Sequence, residues 1–364
     1  MSLTLEQVSK VESGKTYIYS TDFTLEAGSL NVLLGPTLSG KTSLMRLMAG
    51  LDVPTSGRVL WKGQDVTGKP VQERNIAMVY QQFINYPAMS VYDNIASPLK
   101  IRGLKRAEID KRVQEAADLL KLTPMLQRKP LELSGGQQQR CALARALVKD
   151  ADLVLLDEPL ANLDYKLREE LREELPRIFT ASGAVFVYAT TEPTEALLLG
   201  GNTASLWEGR ITQFAPTLAV YRHPNTMTTA RVFSDPPMNF LRLSKQGQQL
   251  KFDTGETAAA TGRLANLPDA AYSLGFRPNH LSLERPSGDA LSFQVTVTVV
   301  EISGSESFVH VKHGEQRWVA LVGGIHEPAP NTVFTLYVDP KHLYVFAADG
   351  SLVNTSACAG SLRS

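Results

Sequence analysis

The residues with the most evident chemistry are Gly35-Pro-Thr-Leu-Ser-Gly-Lys-Thr42. They fit G-x-x-x-x-G-K-[ST], a loop that cradles phosphate. Gly35 and Gly40 let the backbone turn tightly enough for several N–H groups to converge on an anion. Pro36, Thr37, Leu38 and Ser39 complete the loop, and Ser43 follows it. The Lys41 ammonium can reach the β- and γ-phosphates of a nucleotide, and the Thr42 hydroxyl can ligate Mg²⁺. The competing reading is a glycine turn with an incidental lysine. Context argues against it: Leu30–Leu34 before the loop is an apolar strand, and Leu44, Leu47 and Met48 after it have helical spacing. A helix starting near Lys41 adds the positive end of its dipole.

Two further groups can act on the same phosphates. The apolar run Leu153-Val-Leu-Leu156 reads as a strand buried on both faces, and it ends in Asp157-Glu158. Asp157 is placed to hold Mg²⁺ and Glu158 to polarise an attacking water. Leu133-Ser-Gly-Gly-Gln137 opens a helix over residues 138–148. There Ser134, Gly135, Gly136 and Gln137 form a second cradle of hydroxyl and N–H groups. One nucleotide needs one cradle. Two make sense if two chains meet head to tail, each covering the other's ATP.

Strands and helices alternate around these residues. Residues 1–34, 59–61, 76–80 and 184–189 read as strands, and residues 107–122 as an amphipathic helix on Ile109, Val113, Ala116, Ala117 and Leu120. Leu163, Leu167, Leu171, Leu175 and Ile178 stripe another helix. The charges of residues 168–174 read as its outer face. The pattern predicts an α/β fold with a mainly parallel sheet. Composition shifts at Asp235-Pro-Pro237, beyond which short alternating strands such as 293–299 and 333–338 predict a small all-β barrel. The expected domains are therefore 1–235, with a helical subdomain at about 82–150, and 236–364.

Composition narrows the class. The 364 residues carry 37 basic and 37 acidic side chains, so no charge excess marks a nucleic-acid binder. No apolar run approaches the ~20 residues of a membrane-spanning helix, and the N-terminus lacks a signal peptide's pattern. Cys141 reads as a packed thiol and Cys358 as part of a mobile tail; two cysteines make no disulfide framework. These features predict a cytoplasmic protein. The histidines, among them His223, His310, His313, His326 and His342, show no metal-ligand spacing and read as surface residues.

The set resembles the ATP-binding subunit of ABC transporters over nearly the whole chain. The resemblance implies that residues 35–42 are Walker A, Gln81 the Q-loop glutamine, residues 133–137 the signature motif, residues 153–157 Walker B, Glu158 the catalytic glutamate and residues 161–164, ending in Asp164, the D-loop. It assigns Gln81 beside Thr42 and Asp157 to the metal. Pro237-Met-Asn-Phe-Leu241 and Gly275-Phe-Arg-Pro-Asn-His280 resemble the sugar, polyol and glycerol-phosphate importers, whose accessory domain is an OB-like barrel. Tyr80-Gln-Gln-Phe-Ile-Asn-Tyr-Pro87 and Thr37-Leu-Ser39 resemble the glycerol type. The implied protein is an ATPase peripheral to the cytoplasmic face of the inner membrane. Its partners are a second ATPase subunit, permease subunits docked in an apolar groove from Gln81 to Ile95, and indirectly an extracytoplasmic solute-binding protein.

Two departures matter. The family's switch histidine, which contacts the γ-phosphate, is replaced by Thr191; every histidine lies at or after His223. A threonine can hydrogen-bond a phosphate but carries no positive charge. This predicts a slow site paired with a more active partner, against the plainer reading of a tolerated loop residue. The family's upstream adenine-stacking aromatic is also missing, leaving Tyr17, with Tyr19 nearby, as the candidate. Glu192 and Glu195 read as a solvated helix start whose acids suit the dipole. Alternatives to the importer ATPase are a regulatory ATP clamp in the same importer and a soluble, non-transport ABC ATPase.

Overall fold

A computed structural model describes residues 2–161, 163–286 and 288–353, with residues 179–182 described by backbone alone. Asn162 and Cys358 therefore lie outside the described residues. The chain divides into two compact units between Val220 and Tyr221. The Asp235-Pro-Pro237 break thus falls inside the second unit.

In the first unit the strands are β1 (Ser2–Glu12), β2 (Lys15–Glu26), β3 (Leu30–Leu34), β4 (Ser56–Trp61), β5 (Gln64–Asp65), β6 (Ile76–Val79), β7 (Leu153–Asp157), β8 (Val185–Thr190), β9 (Asn202–Trp207) and β10 (Arg210–Pro216). The helices are α1 (Lys41–Ala49), α2 (Val91–Ile101), α3 (Arg106–Leu119), α4 (Gly135–Leu147), α5 (Tyr165–Ser182) and α6 (Pro193–Leu199). The large sheet runs β10-β9-β3-β8-β7-β6, with every pair parallel except β9 and β10. Its inner strands β7 and β8 are buried along their whole length, which is why they read as unbroken apolar runs. A smaller antiparallel sheet, β2-β1-β4-β5, lies apart from it. Helix α1 fills the space between: Leu44, Met45, Leu47 and Met48 share one core with Leu3, Leu5 and Ile18 of the small sheet and with Leu33, Leu155 and Val187 of the large one.

Helices α2 to α4 supply the predicted helical layer. The expected stripe of α3 is buried at Ile109, Val113, Ala116 and Ala117. Cys141 is fully buried on α4, and burial pushes its thiol up to about 11. Helix α4 begins at Gly135 rather than at residue 138. The signature residues form its first turn because Ser134 and Gln137 cap it reciprocally: Ser134 Oγ accepts from the Gln137 N–H at 3.3 Å, and Gln137 Oε1 accepts from the Ser134 N–H at 2.9 Å.

The second unit is built mainly of strands, with short helices at Met227–Val232 and Gly262–Ala265. Its strands are β11 (Asn239–Gln246), β12 (Gln249–Phe252), β13 (Thr257–Ala259), β14 (Ala271–Phe276), β15 (Leu281–Ser282), β16 (Leu291–Ile302), β17 (Glu306–His313), β18 (Gln316–Gly323), β19 (Val333–Val338) and β20 (Tyr344–Ala347). They form two five-stranded antiparallel sheets, β13-β12-β11-β14-β20 and β15-β19-β16-β17-β18. Both sheets contribute to one core, where the Trp318 ring meets Phe276 edge-on at 5.0 Å and Phe293 at 5.3 Å. One histidine departs from its surface reading. His313 is 1% exposed, stacks on Trp318 at 4.5 Å and bonds the Gln294 carbonyl through Nδ1 at 3.0 Å. His310 lies on the opposite face of β17 and stays partly exposed. Strand alternation separates the two; packing against Trp318 decides which one is buried.

Candidate active site

Strand order gathers the site. β3, β8, β7 and β6 run parallel and end on one edge, with Leu34 opposite Thr190, Ala189 opposite Asp157, and Leu156 opposite Val79. The residues just past those ends are Gly35, Thr191, Glu158 and Gln81, remote in sequence and brought to one rim. Backbone bonds fix the rim. The Gly35 N–H donates to the Thr190 carbonyl at 3.3 Å, and the Glu158 N–H to the Ala189 carbonyl at 3.0 Å.

The phosphate loop is shaped by its glycines. At Gly35 a Cβ would sit 2.5 Å from the Leu206 carbonyl oxygen and from Ser39 Oγ. Gly40 has φ +104°, and a Cβ there would lie 2.9 Å from Ile18 Cδ1. The loop is zipped to its neighbours: the Gly209 N–H donates to the Ser39 carbonyl and the Tyr19 N–H to the Gly209 carbonyl, each at 2.9 Å. Leu38, at φ +67°, projects outward at 96% exposed. Gly40→Ala combines a left-handed backbone with this clash, at a cost of about 1–3 kcal/mol. The expected result is a lower melting temperature and a roughly ten- to hundredfold loss of ATP affinity, read by thermal melting and nucleotide titration. Unchanged affinity would mean that the loop geometry is not what binds.

Lys41 is buried. Its Nζ donates to the Gly35 carbonyl at 2.8 Å and the Pro36 carbonyl at 3.1 Å, and lies 3.8 Å from Glu158 Oε1. Burial pulls its pKa down, while the Glu158 and Asp157 carboxylates act the other way. Asp157 is buried and accepts from Thr42 Oγ1 at 2.7 Å; burial nonetheless pushes its carboxyl above the usual range. Glu158 sits at φ +48°, and burial raises its pKa against the pull of Lys41. Gln81 Nε2 donates to Glu158 Oε2 at 3.0 Å. Thr42 and Asp157 are thus hard oxygen donors side by side, with a carboxylate charge that burial disfavours. That donor set fits Mg²⁺.

Residues 18–161 match the family model for the ABC transporter, and residues 274–346 match the TOBE domain. The sn-glycerol-3-phosphate import ATP-binding protein UgpC of Cupriavidus necator is 36% identical over 358 residues, covering 95% of this chain and 97% of the relative. The protein of the same name from Pectobacterium atrosepticum is 36% identical over 360 residues, 96% and 98% of the two chains. The chain belongs to the ABC transporter ATP-binding family. A third relative, UgpC 3 of Rhizobium etli, is 40% identical over 288 residues, 79% of this chain and 80% of its own. Among solved structures, the dimeric ABC transporter cassette MJ0796 superposes with a TM-score of 0.55 at 26% identity, covering 59% of this chain and 98% of that one. The post-hydrolysis MJ0796 cassette, bound to ADP and Pi, gives 0.54 at the same identity and coverage. The chain is thus a nucleotide-binding ABC ATPase domain followed by an OB-like TOBE domain.

The ATPase's remaining expected residues are distributed as follows. Gly135 and Gly136 lie in the first turn of α4, where N–H groups lack intrahelical acceptors. Asp164 is the N-cap of α5, accepting from the Leu167 N–H at 3.0 Å. Thr191 is exposed just beyond β8. Tyr17 borders the phosphate loop: its carbonyl oxygen would lie 3.2 Å from a Cβ at Gly40. Its ring is 40% exposed, with Lys15 Nζ 5.3 Å from the centroid. One face of the Tyr19 ring is covered by Arg210 at 3.5 Å. Of the stretch Gln81–Ile95, expected to form an apolar groove, Tyr86 lines a neighbouring pocket of mixed polarity. That pocket, of about 530 Å³, is lined by Glu73, Arg74, Arg102, Arg145 and Lys149 as well as by Met78, Pro98 and Ile101. Within the expected stretch, Ile84, Tyr86 and Met89 are exposed, whereas Val91 and Ile95 are buried. The reason is that α2 begins at Val91 and turns those two inward.

The solvated reading of Glu195 is wrong. Its side chain is buried and holds Arg172 of α5, because the short helix α6 packs its Glu195 face against β8 and α5. Glu192 stays partly exposed, paired with Arg172 at 3.2 Å and Arg168 at 3.5 Å. Arg172 is accordingly an internal link and not part of a charged outer face. Sequence reading also missed Gln139, whose Nε2 donates to the Glu158 carbonyl at 3.3 Å. Its only signal was its place in a run of three glutamines.

Proposed function

We propose that this ABC ATPase powers import of a polyol or polyol phosphate, as one half of an asymmetric ATPase pair at the cytoplasmic face of the inner membrane. The observation that carries the reading is the Lys41–Glu158–Gln81 constellation at the parallel strand ends. The solute class follows from the end-to-end similarity to proteins named for sn-glycerol-3-phosphate import.

The phosphates of ATP enter the loop at residues 35–43, where Lys41 exchanges the Gly35 and Pro36 carbonyls for phosphate oxygens. Thr42 and Asp157 would hold Mg²⁺, with Gln81 as a further oxygen donor, and the ion would screen phosphate charge. Glu158 takes the proton of the attacking water. Tyr17 offers adenine the less encumbered of the two candidate rings. Ser134, Gly135, Gly136 and Gln137, with Asp164 at the neighbouring helix start, face the second subunit's nucleotide. Gln81 bonds Glu158 and leads into the segment that borders the pocket. Loss of the γ-phosphate is thereby felt where a permease helix docks. A solute-binding protein outside the membrane would deliver the solute.

Thr191 supplies a hydroxyl where an imidazole would bring reach and charge, so this chain's own site turns over slowly. The decisive assay is MgATP turnover by the purified chain alone and mixed with the ATPase encoded nearest to it. The expected rate alone is under about a tenth of the mixed rate, and Thr191→His raises it at least tenfold, within the range for one positioned acid–base or electrostatic group. Full activity alone, unchanged by Thr191→His, would overturn the asymmetric pair. The regulatory-clamp reading is favoured by Thr191 but leaves the bonded Glu158 without a use.

A further inference from the structure

Behind the switch position lies a buried carboxylate that the mechanism above does not use. Glu195 is 4% exposed. Its Oε2 accepts from Thr190 Oγ1 at 2.6 Å and from the Tyr188 hydroxyl at 3.2 Å, and its Oε1 lies 3.3 Å from Arg172. Thr190 Oγ1 in turn accepts from the Glu192 N–H at 3.0 Å. The Thr190 hydroxyl directly, and the Glu192 N–H through it, are thus referred to one carboxylate. A buried charge is retained only where it is paired and hydrogen-bonded, and this one has three partners drawn from two elements, β8 and α5.

Those partners give the cluster its meaning. Thr190 is the last residue of β8, directly before Thr191. Its carbonyl receives the N–H of Gly35, the first glycine of the phosphate loop, and the carbonyl before it receives the N–H of Glu158. On the other side, Arg172 belongs to α5, whose N-cap is Asp164. A continuous bonded path therefore runs from the segment facing the second subunit, through α5 and Arg172, to Glu195. From there it passes through Thr190 to the phosphate loop and the general base.

We propose that Glu195 is a positioning residue for hydrolysis. It clamps the end of β8 so that Thr191 and Glu158 are held at the γ-phosphate, and it ties that clamp to α5. The proposal rests on reading this rim as a hydrolytic site. Glu195 touches no nucleotide in this scheme; it acts through Thr190. Its loss should therefore slow the chemical step more than it weakens binding, since ATP affinity comes from the loop and Lys41.

The test uses the full chain alone, so that turnover reads its own site and not a faster partner's, at temperatures well below each variant's melting point. Glu195→Ala is expected to lower kcat at least tenfold with KM and ATP affinity within twofold. Glu195→Gln keeps the volume and an acceptor for Thr190 while dropping the charge toward Arg172. It should fold where alanine does not, and lower kcat several-fold with KM again unchanged. Thr190→Val should reproduce the alanine effect, and the double variant should be no slower than the worse single one, because both act on one bonded path. Wild-type kcat in Glu195→Ala, additive losses in the double variant, or parallel losses in kcat and affinity would each overturn the clamp. Glu158→Gln is the control. If it too leaves turnover unchanged, the hydrolytic reading of this site has failed; if it abolishes turnover while Glu195→Ala does not, only the clamp has failed.

Discussion

Glu158→Gln is expected to lower the MgATP turnover of this subunit's own site by about a hundredfold or more, within the 10²–10⁴ range of general-base catalysis. ATP affinity should stay within about twofold. Glutamine keeps the shape of Glu158 and can still face Gln81, which bonds it at 3.0 Å. It cannot take a proton from water. Binding rests on other groups, the glycine loop and Lys41. ATP should therefore accumulate on the protein unhydrolysed, measurable as retained nucleotide after gel filtration. An unchanged rate of the chain alone would remove Glu158 as the base and leave this subunit a clamp.

The same residue sets a pH dependence. Burial is the largest influence on Glu158 and raises its pKa, with Lys41 opposing. As pH falls, the working carboxylate is thus lost earlier than an ordinary glutamate would be, and the acid limb of kcat should vanish in Glu158→Gln. The stability sign follows from the same direction. Asp157 and Glu158 both have raised pKa values in the folded state. Their contribution to stability is fully present below the unfolded carboxylate pKa, about 4, and is lost as pH rises through the raised folded values. The nucleotide-free protein at neutral pH carries that cost. Its melting temperature should accordingly not fall in Glu158→Gln, and thermal melts across pH check this. A marked fall would mean that the ionised carboxylate is a net support of the fold.

Lys41→Met should weaken ATP binding by about a hundredfold or more. A charge-assisted hydrogen bond contributes about 1.5–3 kcal/mol, and the ammonium has two phosphates within the motif's reach. Methionine keeps the length of the stem and its contacts but leaves Asp157 and Glu158 facing the phosphates with no cation. The direction of the Lys41 pKa adds a second signature. Burial makes the ammonium lose its proton at lower pH than a solvated lysine. Wild-type affinity should therefore decline on the alkaline side earlier than phosphate ionisation explains, and Lys41→Met should lack that decline. Nucleotide titration over pH reads both effects. Wild-type affinity in Lys41→Met would remove the loop from the binding site.

Sequence alone determined the parts whose physics is local. The phosphate loop is legible because its turn, its dipole and its cation all lie within a few consecutive residues. Asp157 and Glu158 are legible because an apolar strand ending in acids has few other uses, and Ser134 with Gln137 because a helix start must satisfy its own N–H groups. The end-to-end family pattern, with Thr191 in the histidine's place, was legible for the same reason. Tertiary structure decided what depends on residues far apart. The order β3-β8-β7-β6 sets Gly35, Thr191, Glu158 and Gln81 on one rim; nothing in the four strands taken singly gives that order. Glu195 follows the rule for a solvated first-turn acid, and it is buried because Arg172, Tyr188 and Thr190 converge on it from α5 and β8. His313 and His310 sit on one strand with equal claims to solvent, and the Trp318 ring covers only one of them. Burial and pairing are sums over neighbours that the fold supplies, so a residue's type and spacing fix what it can do, and the packing around it fixes which of those things it does.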